Sequence, residues 1–145
     1  MTGGNSGASP QLTNGYTRIA NELLEAICRV RLSCYAHRVL LAIIRETYGF
    51  HVKSWPISEG RLAKITGVLR PHVHRALCEL EEKKIIESLG TARELGLRRR
   101  KGKRWFDPRA KVWALQKDYT RWDGYQVATS TGATSLPPEE RSRRT

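Results

Sequence analysis

The chain has 145 residues, with 26 Lys or Arg against 14 Asp or Glu, and a formal net charge of +12. Its length and its 39% of apolar residues fit one modest core with tails, and a small protein this basic suggests a polyanionic partner. No apolar run approaches the roughly 20 residues of a spanning helix, no secretory signal opens the chain, and the three cysteines are never spaced as CxxC, so a membrane protein, a disulfide scaffold and a zinc ribbon are all disfavoured and a cytoplasmic protein is expected.

Residues 1–14 carry no ionised side chain and are rich in Gly, Ser, Thr and Asn. They read as an unstructured arm, as residues 123–145 read as a tail, because neither buries enough apolar surface to offset its ordering entropy. The folded part is expected over 15–122. Tyr16 to Ile19 alternates as a short strand would. Asn21 is a plausible N-cap, and Leu23, Leu24, Ile27 and Val30 follow at helical spacing. Ser33 caps a second helix whose buried face is Ala36, Val39, Leu40, Ile43 and Ile44, with Gly49 after its end. This helix is the most apolar and should be central.

Phe50 to Ile57 reads as a turn and a short strand, which Pro56 confines to an edge or an end. Ser58 caps a short third helix that stops at Gly67. Arg70-Pro71 opens a fourth, with Pro71 expected at the first helical position and Val73, Ala76, Leu77 and Leu80 facing inward. Ile85 to Ser88 and Val112 to Leu115 are strands. Between them, residues 93–111 hold nine basic and two acidic side chains, net +7 of the +12. Such a block repels itself and forms a loop or arm. It is suited to phosphate, although many basic runs are simply solvated.

Two short helices joined by a tight Gly-containing turn are a helix-turn-helix signal. A hairpin with a cationic tip immediately after them makes the fold class mainly α with a small β-hairpin, a winged helix-turn-helix. The wing is expected at about 90–111. A basic loop beside a recognition helix is placed to reach the DNA backbone or minor groove.

On the fourth helix the candidate base-reading residues are Arg70, Pro71, His72, His74, Arg75 and Cys78. Arg75 could pair with guanine O6 and N7. Glu79, Glu81 and Glu82 lie further along, so the N-terminal half should enter the groove. Candidate phosphate or minor-groove contacts are Ser58, Arg61 and Lys64 before it, and Arg98, Arg99, Arg100, Lys101, Lys103 and Arg104 in the wing.

His72-Val73-His74 matches the His-hydrophobic-His pattern of rolling-circle endonucleases. On a helix, however, residues two apart point roughly 200° away from each other, so the pair cannot share a metal. With no GxxxxGK[ST] loop either, the expectation is no enzyme, no metal and no cofactor. Tyr48, Phe50, Trp55 and Trp113 adjoin apolar runs and should close the core. Trp105-Phe106, inside the basic loop, reads either as the wing folded back on the domain through Trp105, the favoured version, or as a surface that stacks on a nucleotide or partner.

Gly15-Tyr16-Thr17-Arg18-Ile19-Ala20-Asn21-Glu22-Leu23-Leu24-Glu25-Ala26-Ile27 resembles the opening of the lambda-type phage replication protein O family. Val39 to Phe50 is similar to its second block. Ile57-Ser58, Leu62-Ala63, Thr66-Gly67, His72-Val73 to Ala76-Leu77, Leu80-Glu81 and Ile85-Ile86 resemble its helix-turn-helix, and Gln116 to Tyr119 with Trp122 its closing segment. The resemblance covers nearly all of 15–122. It implies an origin-binding initiator: an N-terminal winged-helix domain bound to repeated or palindromic double-stranded DNA sites as a homodimer. It also implies a separate C-terminal region, absent from these residues, that recruits the host replicative helicase through a helicase loader. Arg70-Pro71 stands where the family commonly has small hydroxyl residues, so its base preference does not carry over. Ile19 to Val30 and Tyr119 to Trp122 are the expected dimer-forming segments. The alternatives are a winged-helix repressor of a mobile element and a protein-docking adaptor, since fold alone does not give function.

Overall fold

The computed structural model describes residues 7–123. They form four α-helices, α1 (Asn21–Arg29), α2 (Cys34–Thr47), α3 (Glu59–Thr66) and α4 (Arg70–Glu82), and three strands, β1 (Ser54–Pro56), β2 (Ile86–Thr91) and β3 (Lys111–Leu115). Of the expected arm, residues 1–6 lie outside the described part, and the rest holds one 3₁₀ turn at Leu12–Asn14. Of the expected tail only Asp123 is described.

The most apolar stretch of the sequence is the central helix. Ala36, Val39, Leu40, Ile43 and Ile44 of α2 are all buried, and α2 packs on α3, α4, β1 and β3. Its N-terminus is capped by Ser33, whose Oγ accepts the Ala36 N–H at 3.2 Å. Its last residue runs into a 3₁₀ turn, Tyr48–Phe50, and the left-handed residue that ends this turn is His51 rather than Gly49. α1 buries Leu23, Ala26 and Ile27, with Val30 just after it. The N-cap of α1 is Ala20 and not Asn21: Ala20 holds the extended backbone, and Asn21 is already helical with no capping bond. The strand expected at Tyr16–Ile19 is irregular chain. Alternation without a neighbouring sheet edge leaves backbone groups unpaired, and Tyr16 stays 59% exposed.

The α3–α4 unit is built by local rules. Ser58 Oγ accepts the Arg61 N–H at 3.0 Å. Gly67 takes φ +72°, the left-handed conformation that lets its N–H close on the Ala63 carbonyl at 2.9 Å. Val68 and Leu69 follow, and α4 starts at Arg70, so Pro71 is the second helical residue rather than the first. Its missing N–H still costs nothing, because the first-turn donors have no intrahelical partner. Val73, Ala76, Leu77 and Leu80 are buried. Arg38 Nη2 donates to the Thr66 carbonyl at 2.6 Å and ties α2 to the end of α3.

The expected two-stranded hairpin is a three-stranded antiparallel sheet in the order β1-β3-β2. β1 joins the far side of β3 with Trp55 opposite Trp113, and β2 pairs with β3 through an irregularity between Ser88 and Thr91. β1 lies at the edge, where Pro56 removes no needed ladder bond. Under the β2–β3 connection sits a small second core of Ala92, Phe106 and Val112, with Trp55 packed against it.

Candidate nucleic-acid interface

The face of α4 opposite its buried stripe presents Arg70, Pro71, His74, Arg75 and Cys78 to solvent. No ion pair or hydrogen bond engages the side chains of Arg70 or Arg75 among the described residues. His72 lies to the flank. It is half-buried and stacks on Tyr35 of α2, with ring centroids 4.9 Å apart and planes at 22°. His74 turns the other way. Its Nδ1 lies 2.7 Å from Glu59 Oε2 on α3, and its Nε2 lies 3.8 Å from Cys78 Sγ. The two imidazoles therefore serve different helices. Among the described residues, no group of three or more His, Cys, Asp or Glu is arranged to hold a metal ion.

The acidic end of α4 is anchored at Glu79. Its carboxylate accepts the Ser33 N–H at 2.9 Å and the Ser33 hydroxyl at 2.8 Å, with Lys83 Nζ at 3.5 Å. Partial burial would raise its pKa, but the Ser33 hydrogen bonds and the Lys83 charge together hold it below the usual carboxylate range. Lys83 also donates to the Arg31 carbonyl at 2.6 Å, fixing this end of α4 to the α1–α2 junction.

On α3, Lys64 is exposed. The Ser58 hydroxyl is engaged in the cap. Arg61 is half exposed, with Nε 2.7 Å from Glu46 Oε1. Sequence reasoning missed Glu46, the carboxylate that holds Arg61. It is 3% exposed, near the end of α2. The available signal was its position three residues after Ile43, which places a carboxylate beside the apolar stripe.

The β2–β3 loop divides into two parts. Arg98, Arg99, Arg100, Lys101 and Lys103 are exposed. Arg104, grouped with them in the sequence, is held inward instead. Its Nη2 lies 2.9 Å from Glu46 Oε2, Nη1 donates to the Glu46 carbonyl at 2.8 Å, and the guanidinium covers the rings of Phe50 at 3.5 Å and Trp55 at 4.4 Å. Burial draws its pKa below the ordinary arginine value; the Glu46 carboxylate opposes that shift, and Arg61 and Arg45 add to it. The loop does fold back on the domain, but through Arg104 and Phe106, not Trp105. Phe106 is 7% exposed and meets Trp55 edge-on at 5.6 Å, whereas Trp105 is 68% exposed. Side chains of neighbouring residues in extended chain point to opposite sides, so only one of the pair can turn inward.

Contacts thus run from the loop to α4 by way of α3: Arg104 to Glu46 to Arg61, then Glu59 to His74. Elsewhere, α1 and the closing segment pack on each other. Trp122 is buried with Nε1 donating to the Gln116 carbonyl at 2.6 Å, and the Tyr119 hydroxyl meets the Glu22 carboxylate. No described helix is long and apolar enough to cross a membrane.

Residues 9–100 match the family model for bacteriophage replication protein O. The chain is similar to replication protein 15 of Enterobacteria phage phi80, at 39% identity over 82 residues, 57% of this chain and 27% of that protein. It is 37% identical to replication protein O of Escherichia phage lambda over 79 residues, 54% of this chain and 24% of that one. With DNA replication protein gp18 of Salmonella phage P22 it shares 31% identity over 111 residues, 77% of this chain and 39% of the relative. The chain therefore spans well under half the length of each of these relatives. No solved structure matches it.

Proposed function

The chain belongs to the bacteriophage replication protein O family, and from that premise we propose that it is a winged helix that binds double-stranded DNA at repeated or palindromic origin sites and serves initiation of phage replication. α3 and α4 are its helix-turn-helix, and the β2–β3 loop is its wing. One observation carries this reading. Among the described residues the exposed half of α4 offers unpaired Arg70 and Arg75, the loop offers exposed Arg98, Arg99, Arg100, Lys101 and Lys103, and the Arg104–Glu46–Arg61 and Glu59–His74 contacts join both to α3.

Arg75 is the principal reader of base edges, with Arg70, His74 and Cys78 beside it. Pro71 and His72 shape and support that surface. Lys64 and the exposed loop cations hold phosphates, with Ser58 and Arg61 at their margin. The domain makes and breaks no covalent bond and uses no cofactor. It acts in the host cytoplasm as a homodimer, so that two-fold symmetry in the protein matches that of the site. Recruitment of the replicative helicase or its loader is not assigned to these residues.

Footprinting on the DNA of the replicon that encodes the chain tests the reading. Protection of iterated repeats is expected, with two chains per palindromic site on sedimentation. Protection confined to a promoter would make the chain a repressor. A chain that protects no duplex at all would favour the adaptor.

A further inference from the structure

We propose that the β2–β3 loop carries a site for unpaired DNA, in which Trp105 stacks on a free base and the surrounding arginines hold its phosphates. This site presupposes the DNA-binding reading above and adds a second form of DNA to it. Burying an indole is among the largest apolar gains a side chain offers, and this loop has a pocket for an aromatic ring, which it gives to Phe106 against Trp55. Trp105 is left 68% exposed in the most cationic stretch of the chain, with the Arg99 guanidinium 5.7 Å from its ring centre.

Trp105 does not itself line the cleft in this loop, but Arg99, whose guanidinium lies near the indole ring, does. Arg104 and Phe106, the chain neighbours of Trp105, also line this space of about 530 Å³. That volume lies within the range of small-ligand sites, roughly 300–1,000 Å³. Trp55 and Leu97 supply further apolar lining, Arg98 supplies more charge, and no acidic residue lines the cleft. A ligand suited to it is anionic and has a flat apolar face. A duplex offers the charge but keeps its base faces stacked inside the helix. An unpaired strand offers both, and every base has a face to stack. An acidic peptide offers charge without a row of flat faces. Replication copies separated strands, so unpaired DNA arises where an initiator is bound.

The test compares an oligothymidylate of about 16 nucleotides, the upper end of a single-strand site of this kind, with a mixed-sequence duplex. Binding is read by anisotropy and by quenching of indole emission. Trp105→Ala should lose about 5- to 100-fold in affinity for the oligothymidylate, and the quenching with it, as expected for one stacked base. Its duplex affinity should stay within about twofold, because the phosphate contacts remain. Trp105→Phe should keep most of the single-strand affinity. Equal losses on both DNAs, no loss on either, or displacement of the oligothymidylate by polyglutamate would each overturn the proposal. A wild-type chain that binds duplex but no oligothymidylate overturns this site alone. One that binds oligothymidylate but neither the mixed-sequence duplex nor a duplex of the replicon's own origin repeats overturns the origin reading and leaves this site standing.

Discussion

Arg104 reaches back 58 residues along the chain to Glu46, bonding both its carboxylate and its backbone carbonyl. This contact fastens the base of the basic loop to the end of the central helix, and the same carboxylate holds Arg61 of α3. One buried acid therefore sets the position of two elements of the proposed interface.

Removing that acid should loosen the loop and destabilise the domain. Glu46→Ala leaves a largely buried guanidinium without its counter-charge, and should lower the unfolding free energy by about 2–4 kcal/mol. Arg61→Ala should cost less than about 1 kcal/mol, because its side chain is 51% exposed. Urea titrations of both variants check the pair. Equal losses would show that Arg104 contributes nothing through Glu46.

Glu79 should make stability sensitive to acid. Its folded pKa is held below the ordinary value of 4.5, so its contribution is fully present above that value and is lost as pH falls through the lower folded pKa. Glu79→Gln should remove this part of the acid dependence. It should also cost about 1–2 kcal/mol at neutral pH, as expected for charge-assisted bonds at a partly exposed site. Thermal melts between neutral pH and pH of about 3 measure both effects. An unchanged acid slope in the variant would exclude Glu79 as its source.

Replacing Arg98, Arg99, Arg100 and Lys101 with Ala should weaken binding to specific and random duplex about equally. The plot of log affinity against log salt should flatten by about 0.9 for each phosphate that the loop no longer neutralises. Titration on both DNAs at several salt concentrations measures this. A loss confined to the specific site would mean that the loop reads sequence.

Arg75→Ala should behave oppositely. It should cost roughly 1–3 kcal/mol on the true site and much less on random DNA, with the salt slope nearly unchanged. Equal losses on the two DNAs would make α4 a phosphate binder.

What was legible in the sequence was local. Val73, Ala76, Leu77 and Leu80 reveal the buried stripe of α4 by spacing alone, and Ser33, Ser58 and Gly67 mark helix ends through backbone chemistry within a few residues. What stayed hidden depends on partners distant in the chain. Nothing near Arg104 separates it from Arg98, because the difference is made by Glu46. Trp105 and Phe106 differ only in which side of one short segment they occupy, and Trp55, far back in the chain, decides that. The alternation at Tyr16–Ile19 satisfies the strand pattern, yet the third strand of the sheet is the short one expected at Phe50 to Ile57, and what stayed hidden is that it pairs with β3. For α4 the sequence shows which residues face outward, but not that His72 and His74 are held by Tyr35 and Glu59.

The pairing of Trp55 with Trp113 also bears on how the chain assembles. α3, α4 and the entire basic loop lie between those two residues, so the sheet is the clasp of a long closed circuit. A ribosome must deliver β3 before the clasp can shut, and until then α3 and α4 rest on α2 and on each other, with β2 beside α4. Once it is shut, the entropy of closure grows with the logarithm of the enclosed length, about 0.6 kcal/mol for each doubling of a flexible loop. Evolution can therefore lengthen, shorten or recharge the exposed 98–103 part of the loop while the clasp, the Arg104 anchor and the helices keep their places.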